Sequence, residues 1–438
     1  MNNSNAIKAL LLAAVNEIAA DPGKYAVKPG RDFTRNRKMG FHHTLMTLLT
    51  MEADCTKEEL YRYFGRATEA PSKAAFYRQR RKLTDDALAN LLHLFNSRLH
   101  KNLYNGKYQL IACDGSAADT FRNPDDADTF FEPNGKSTRG FNQVHINAFY
   151  SILDRGFTNL VVQPGRKRNE YAAFCEMVDA AGSDGPPTIY FADMGYASYH
   201  NFAHVTRNGQ FFLIRRNDKR LGGILGRKVV GLKEMDCRVE RILTRTKSKK
   251  KRSRPLLSER YRYICPAVPF DYLDEGHNEY DISPRVVRFE ISPGIFENII
   301  TNLPELEFDF EDFRELYHLR WGEENAFRDL KYPLCLKAFH SKKYGYIVQE
   351  IWARAIPRNF SSAIISGVPI DSGGRKYEYQ VNFAEAFKTC RDFLRIHDGR
   401  TEMDVEGLIA RNIEPVRPGR TFARQRRFKL PISFCYRN

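Results

Sequence analysis

Up to about Leu103 the apolar residues recur at helical spacing. The segments AIKALLLAAVNEIAA, FHHTLMTLLTM, KEELYRYF and DDALANLLHLFNSRL each carry an apolar stripe, which predicts a bundle of short helices. Thr56 ahead of Lys57-Glu58-Glu59 reads as a capping box. The pattern then shortens to strand-length runs at Tyr108 to Cys113, His145 to Leu153 and Thr158 to Gln163, with Asp154-Arg155-Gly156 as a hairpin link. Next come a helix (Asn169 to Ala181), a strand (Thr188 to Ala192), a helix (Ala197 to Arg207) and a strand (Phe211 to Arg215). Three antiparallel strands followed by alternating helices and strands predict a mixed α/β sheet.

From Asn217 to about Pro293 short alternating runs such as DCRVERIL and PRVVRFEIS predict a β-rich insertion, left again through FENIITNL. Helical spacing returns around residues 316–331 and in SKKYGYIVQEIWARAI; after the linker SGVPIDSGGRK it returns once more in VNFAEAFKTCRDFLRI, ahead of a basic tail. The expected organisation is therefore a helical domain over residues 1–105, an α/β domain over 106–365 interrupted at 217–293, and a helical and basic region over 366–438.

Charge changes this picture. The 438 residues hold 69 Lys and Arg against 53 Asp and Glu, a net charge of +16, which favours a polyanionic partner. A ribosomal or membrane-surface protein is equally basic. Eight cysteines without a CxxC pair read as reduced core thiols. The apolar run near the start lacks a basic n-region, so it reads as an amphipathic helix rather than a signal peptide, and no apolar stretch is long enough to span a bilayer.

The candidate chemistry lies in ELYHLRWGEENAFRDLKYP. Tyr317, Arg320, Glu324 and Lys331 fall within an arc of about 60° on a helix at roughly 100° per residue, while Leu316, Leu319, Ala326, Phe327 and Leu330 form a separate apolar stripe. Such a stripe is a solvated face in most helices; here the second stripe would hold it rigidly against a core. Asp114 follows the apolar run in YQLIACDGS and Asp193 follows that in PPTIYFADMGY, so each is expected at a strand end, where α/β sheets bind ligands. An aspartate there also serves as a turn former or helix cap.

The spacing Tyr317-x2-Arg320-x3-Glu324-x6-Lys331 resembles the signature of the IS-four family of bacterial insertion-sequence transposases, enzymes of the DDE class. Asp114-Gly115-Ser116 and Asp193-Met194-Gly195-Tyr196 resemble its first two acidic motifs, and FTRNRKMGF and PSKAAFYRQRRKL resemble its N-terminal region. Met194 departs from the basic residue many members carry, which removes a DNA contact and leaves the acid beside it.

The resemblance implies an RNase H-like catalytic domain in which the first and fourth strands are adjacent, bringing Asp114 and Asp193 together, with Glu324 supplied by the later helix. It implies a transposase that hydrolyses DNA at the element's ends and joins the 3′ end to target DNA. The three acids would hold two Mg²⁺ ions, with Mn²⁺ as a substitute; hard cations prefer such oxygen ligands. Tyr317, Arg320 and Lys331 would clamp phosphates, and Arg78, Arg80 and Arg81 on the basic segment Ser72 to Leu83 would bind the terminal inverted repeat. A homodimer on double-stranded DNA, in the bacterial cytoplasm at the nucleoid and away from membranes, completes that expectation. A catalytically silent DNA-binding descendant and a nuclease without strand transfer are the alternatives.

Competing motifs are weaker. His200 and His204 are four apart but lack the intervening Glu of an HExxH zinc helix, and no phosphate-binding GxxxxGK[ST] loop occurs.

Overall fold

The computed structural model describes residues 4–135, 137–225, 234–247, 260–319, 338–370, 373–374, 377–396 and 403–416. Its centre is a nine-stranded mixed sheet. In chain order the strands of the described chain up to Thr301 are β1 (Gln109–Thr120), β2 (Phe130–Phe131), β3 (Phe141–Ser151), β4 (Gly156–Pro164), β5 (Thr188–Ala192), β6 (Phe211–Arg215), β7 (Met235–Arg238), β8 (Arg241–Thr244), β9 (Tyr261–Tyr263), β10 (Glu279–Ile282), β11 (Arg285–Ser292) and β12 (Ile295–Thr301). The sheet runs β2-β3-β1-β5-β6-β12-β11-β7, with β4 paired to the far side of β3. β3 is antiparallel to β1 and β4, whereas β1, β5 and β6 are parallel. This is the RNase H-like order, with the first and fourth expected strands side by side.

β5 and β6 have the bounds the sequence predicts. β1 does not end at Cys113; it runs on to Thr120 paired with β3, while its parallel pairing to β5 stops at Cys113 opposite Ala192. The strands of the expected insertion divide between two sheets. β7 and β11 extend the main sheet through the β6–β12 pairing, and β8, β9 and β10 form a small sheet of their own.

The runs LIAC and IYFA are apolar at consecutive positions because both sheet faces are covered. Ile111, Cys113, Tyr190 and Ala192 pack under the helices Glu170–Ala181 and Tyr199–Arg207. Leu110, Ala112, Ile189 and Phe191 pack under Phe313, Leu316 and Tyr317 of the helix Phe310–Leu319.

The N-terminal helices form as predicted, the first over Ser4–Ala20 with Ile7, Leu11, Ala14, Val15 and Ile18 on its buried stripe. Thr56 is not a cap. Cys55 occupies that position, Glu59 accepts a hydrogen bond from the Asp54 N–H, and the Thr56 hydroxyl meets the Tyr77 hydroxyl. Nor does the boundary expected near residue 105 separate two cores. These helices share one core with β3, β4 and the helices Tyr344–Ile365 and Phe383–Arg395.

Tyr344–Ile365 is the central post of that assembly, and its polar residues are buried with partners. Arg354 donates to the Met51 and Glu52 carbonyls, Arg358 to the Arg155 carbonyl and Ser362, and Asn359 to the Phe157 carbonyl and Asn96. Among the described residues no helix is long and apolar enough to cross a membrane.

Candidate active site

Side-chain alternation decides which face each acid uses. Asp114 continues the series Leu110, Ala112, and Asp193 continues Ile189, Phe191, so both acids point to the face that carries the helix Phe310–Leu319. The two residues lie one step past the last parallel pair, Cys113 opposite Ala192, on strands about 5 Å apart. Asp114 is half-buried opposite Ala148, and its Oδ1 accepts the Gly115 N–H at 2.7 Å. Asp193 is exposed; it caps a single 3₁₀ turn, Oδ1 accepting the Gly195 N–H at 2.7 Å. The local turn role and the convergent placement are thus both present.

Tyr317 is 7 % exposed on this face, its ring against Phe289. Arg320, Glu324 and Lys331, together with Trp321 and Glu323, lie outside the described residues.

The structure adds a pair that carries no sequence motif. Arg215, at the end of β6, and Glu297, on β12, extend the same face, with Arg215 Nε 2.8 Å from Glu297 Oε1. Burial alone would lower the Arg215 pKa, but the Glu297 hydrogen bond and the charges of Glu297, Tyr317 and Asp193 outweigh it and raise it. Arg215 therefore remains a guanidinium beside Asp193 and Tyr317. The two residues are 82 positions apart, so only the β6–β12 pairing could reveal them.

On the opposite face Gly115 is required by close approach. A Cβ there would lie 2.6 Å from His145 Nε2 and 3.1 Å from Glu170 Oε1. His145 and Glu170 are 3.0 Å apart, and the His145 contact foremost lowers the Glu170 pKa, against its burial. This pair backs the strand at the position next to Asp114.

The basic N-terminal segments also come together. Residues of FTRNRKMGF and of the end of the helix Lys73–Arg80 line one cleft, where Lys28, Arg31, Arg35, Arg37 and Arg81 are exposed. Arg78 is exposed as well, but Arg80 is not available to DNA. Its side chain is fully buried, 2.9 Å from Glu350 and 3.0 Å from Gln349 Oε1, with a further bond to the Tyr346 carbonyl. The expectation for Arg80 is corrected accordingly: the basic run mixes surface charge with one core cation. The remainder of the basic loop beyond Lys247, residues 248–254, and the tail from 417 lie outside the described residues.

Residues 105–360 match the family described as the transposase DDE domain. Among solved structures the chain is similar to the piggyBac transposase in its synaptic complex with hairpin DNA, at 10% identity and a TM-score of 0.44, over 96% of this chain and 87% of that one. No curated protein sequence matches it.

Proposed function

The chain belongs to the transposase DDE-domain family, and from that membership we propose that it cuts double-stranded DNA at the terminal inverted repeats of an insertion sequence and joins the freed 3′ ends to target DNA. Its class is that of transposases, nucleic-acid-cleaving and -transferring enzymes that use divalent metal ions. Within the family, the Tyr317, Arg320, Glu324 and Lys331 spacing supports the IS-four assignment. The observation that carries the proposal is the shared face of Asp114 and Asp193 at the ends of adjacent parallel strands, beneath the helix that leads into residues 320–331.

Asp114, half-buried, and Asp193, exposed, present hard oxygen donors, which suit Mg²⁺ or Mn²⁺ better than a nitrogen- or sulfur-preferring metal. Asp114 and Asp193, with Glu324, would hold two such ions. Bound there, the ions would activate water and neutralise charge on the phosphoryl oxygens. Arg215, fixed by Glu297, and the cations Arg320 and Lys331 position the scissile phosphate for in-line attack, and the Tyr317 hydroxyl adds a donor. The cleft of Lys28, Arg31, Arg35, Arg37 and Arg81, with Arg78, grips the end of the element through its phosphates. Two copies acting on paired ends would form a homodimer.

The test is a strand-cleavage and joining assay on end-bearing duplexes with Mg²⁺. Asp114→Ala, Asp193→Ala and Glu324→Ala each abolish cleavage with end binding retained, and the control Glu323→Ala does not. Binding without cleavage by the unsubstituted chain would identify a silent DNA-binding protein. Cleavage without joined product would identify a nuclease.

A further inference from the structure

The helix Glu170–Ala181, the helix Tyr199–Arg207 and the loop between β9 and β10 meet on the sheet face opposite the acids, where Cys175, His200 and His204 converge and Asp271 of the loop reaches the two histidines. The ligand atoms of Cys175, His200 and His204 lie within 4.8 Å of one another. His200 Nε2 and His204 Nε2 are 2.9 Å apart, and each is 3.3 Å from Asp271 Oδ2. On the outer side, His204 Nδ1 is 3.0 Å from Asp179 Oδ2.

Hydrogen bonding satisfies this triangle poorly. With Asp179 accepting from His204 Nδ1, the Nε2 of a neutral His204 offers a lone pair. His200 Nε2 would then have one proton for two acceptors, His204 Nε2 and Asp271. A cation at the centre satisfies all three at once. Ligand atoms about 2.0–2.2 Å from a tetrahedral zinc are roughly 3.3–3.6 Å from each other; two edges of the triangle are 3.3 Å, and the 2.9 Å edge between the histidines would open slightly on binding. A Cys, two His and a carboxylate form a zinc donor set rather than a magnesium one. The Asp179 contact has the form of the outer-shell carboxylate that fixes a liganding imidazole.

We infer that Cys175, His200, His204 and Asp271 form a structural zinc site that staples the β9–β10 loop to the two helices backing the catalytic sheet. The surroundings suit a closed site. Cys175 is 5 % exposed, and Phe270 and Tyr272 flank the histidines with ring centroids 6.1 Å and 5.0 Å away. The helix Tyr199–Arg207 begins shortly after Asp193, so the staple also steadies the turn that carries the second acid.

Full-length protein produced with zinc in the medium and passed through gel filtration should retain about one zinc per chain by elemental analysis. Cobalt substitution should give a thiolate-to-metal charge-transfer band, absent in Cys175→Ser. Because Cys175 is buried and its variant could fail to fold, Asp271→Ala, which removes a 63 % exposed side chain, provides the second arm, with weakened zinc retention expected. Asp179→Asn should weaken zinc affinity by about 10–100-fold in competition with a chelating dye. A chelator should lower the melting temperature of the unsubstituted chain and leave that of Asp271→Ala nearly unchanged. Asp114→Ala should keep its zinc, so failure of the catalytic proposal and failure of this one are separable. Protein without zinc and without a zinc-dependent rise in melting temperature overturns the inference, as does zinc lost from Asp114→Ala but kept by Asp271→Ala.

Discussion

Neighbouring arginines of one basic run have opposite fates. Arg78 and Arg81 are exposed, while Arg80 is buried against Glu350, which also lies 3.3 Å from His340. The double change Arg78→Ala and Arg81→Ala should reduce DNA affinity with an unchanged melting temperature. Arg80→Ala should instead cost about 3–5 kcal/mol of stability, because it removes the cation bonded to the buried Glu350 carboxylate at 2.9 Å. Fluorescence anisotropy and thermal melts on the same samples distinguish the two, and a stable Arg80→Ala protein with weak DNA binding would contradict the assignment. Burial by itself would raise the Glu350 pKa, yet Arg80, His340 and Arg354 together hold it down at about 2. A depressed folded-state pKa makes its contribution complete above the ordinary value of 4.5 and lost as the pH falls toward about 2. Urea unfolding across that window should show a steep loss of stability in the unsubstituted chain and a shallower one in Glu350→Gln.

Among the elements, the helix Tyr344–Ile365 departs most from its sequence reading. Pro357 marks a helix end by the usual rule, since it lacks an N–H and crowds the preceding turn. The helix nevertheless continues to Ile365, because its buried surroundings on nearly every side outweigh the local penalty. It supplies partners to the N-terminal helices, to the β3–β4 hairpin and to Phe383–Arg395. A fragment of residues 1–105, which a pattern reading treats as autonomous, should therefore show helical circular dichroism without a cooperative thermal transition, its apolar stripes lacking their post. A sharp, two-state melt of that fragment would refute the dependence. Thr188 to Ala192 and Phe211 to Arg215 keep their predicted bounds because short apolar runs between turn residues leave little choice of register. β1 runs past its expected end because Asp114 to Ala117, polar or small and turn-like in sequence, continue as strand against β3.

Across the whole molecule the excess of +16 should make the proposed DNA binding salt-sensitive. Each phosphate contact removed should lower the slope of log affinity against log salt by about 0.9. Arg35→Ala with Arg37→Ala should act this way in the N-terminal cleft, and Arg320→Ala and Lys331→Ala in the cleavage complex. Titrations at several salt concentrations measure it, and an unchanged slope in either set would remove those residues from the interface. Local chemistry by itself determined the element types, the two strand-borne acids, the amphipathic N-terminal helix and the basic character, because periodicity and charge are written into consecutive residues. Tertiary structure alone decided that Asp114 and Asp193 share a face, that β11 and β12 complete the catalytic sheet, that Arg215 meets Glu297 and that Arg80 is a core residue. It also gathered Cys175, His200, His204 and Asp271 from two helices and a distant loop. Each of these depends on strand order or on which side of an element is covered, and those are settled by which distant apolar surfaces close on one another.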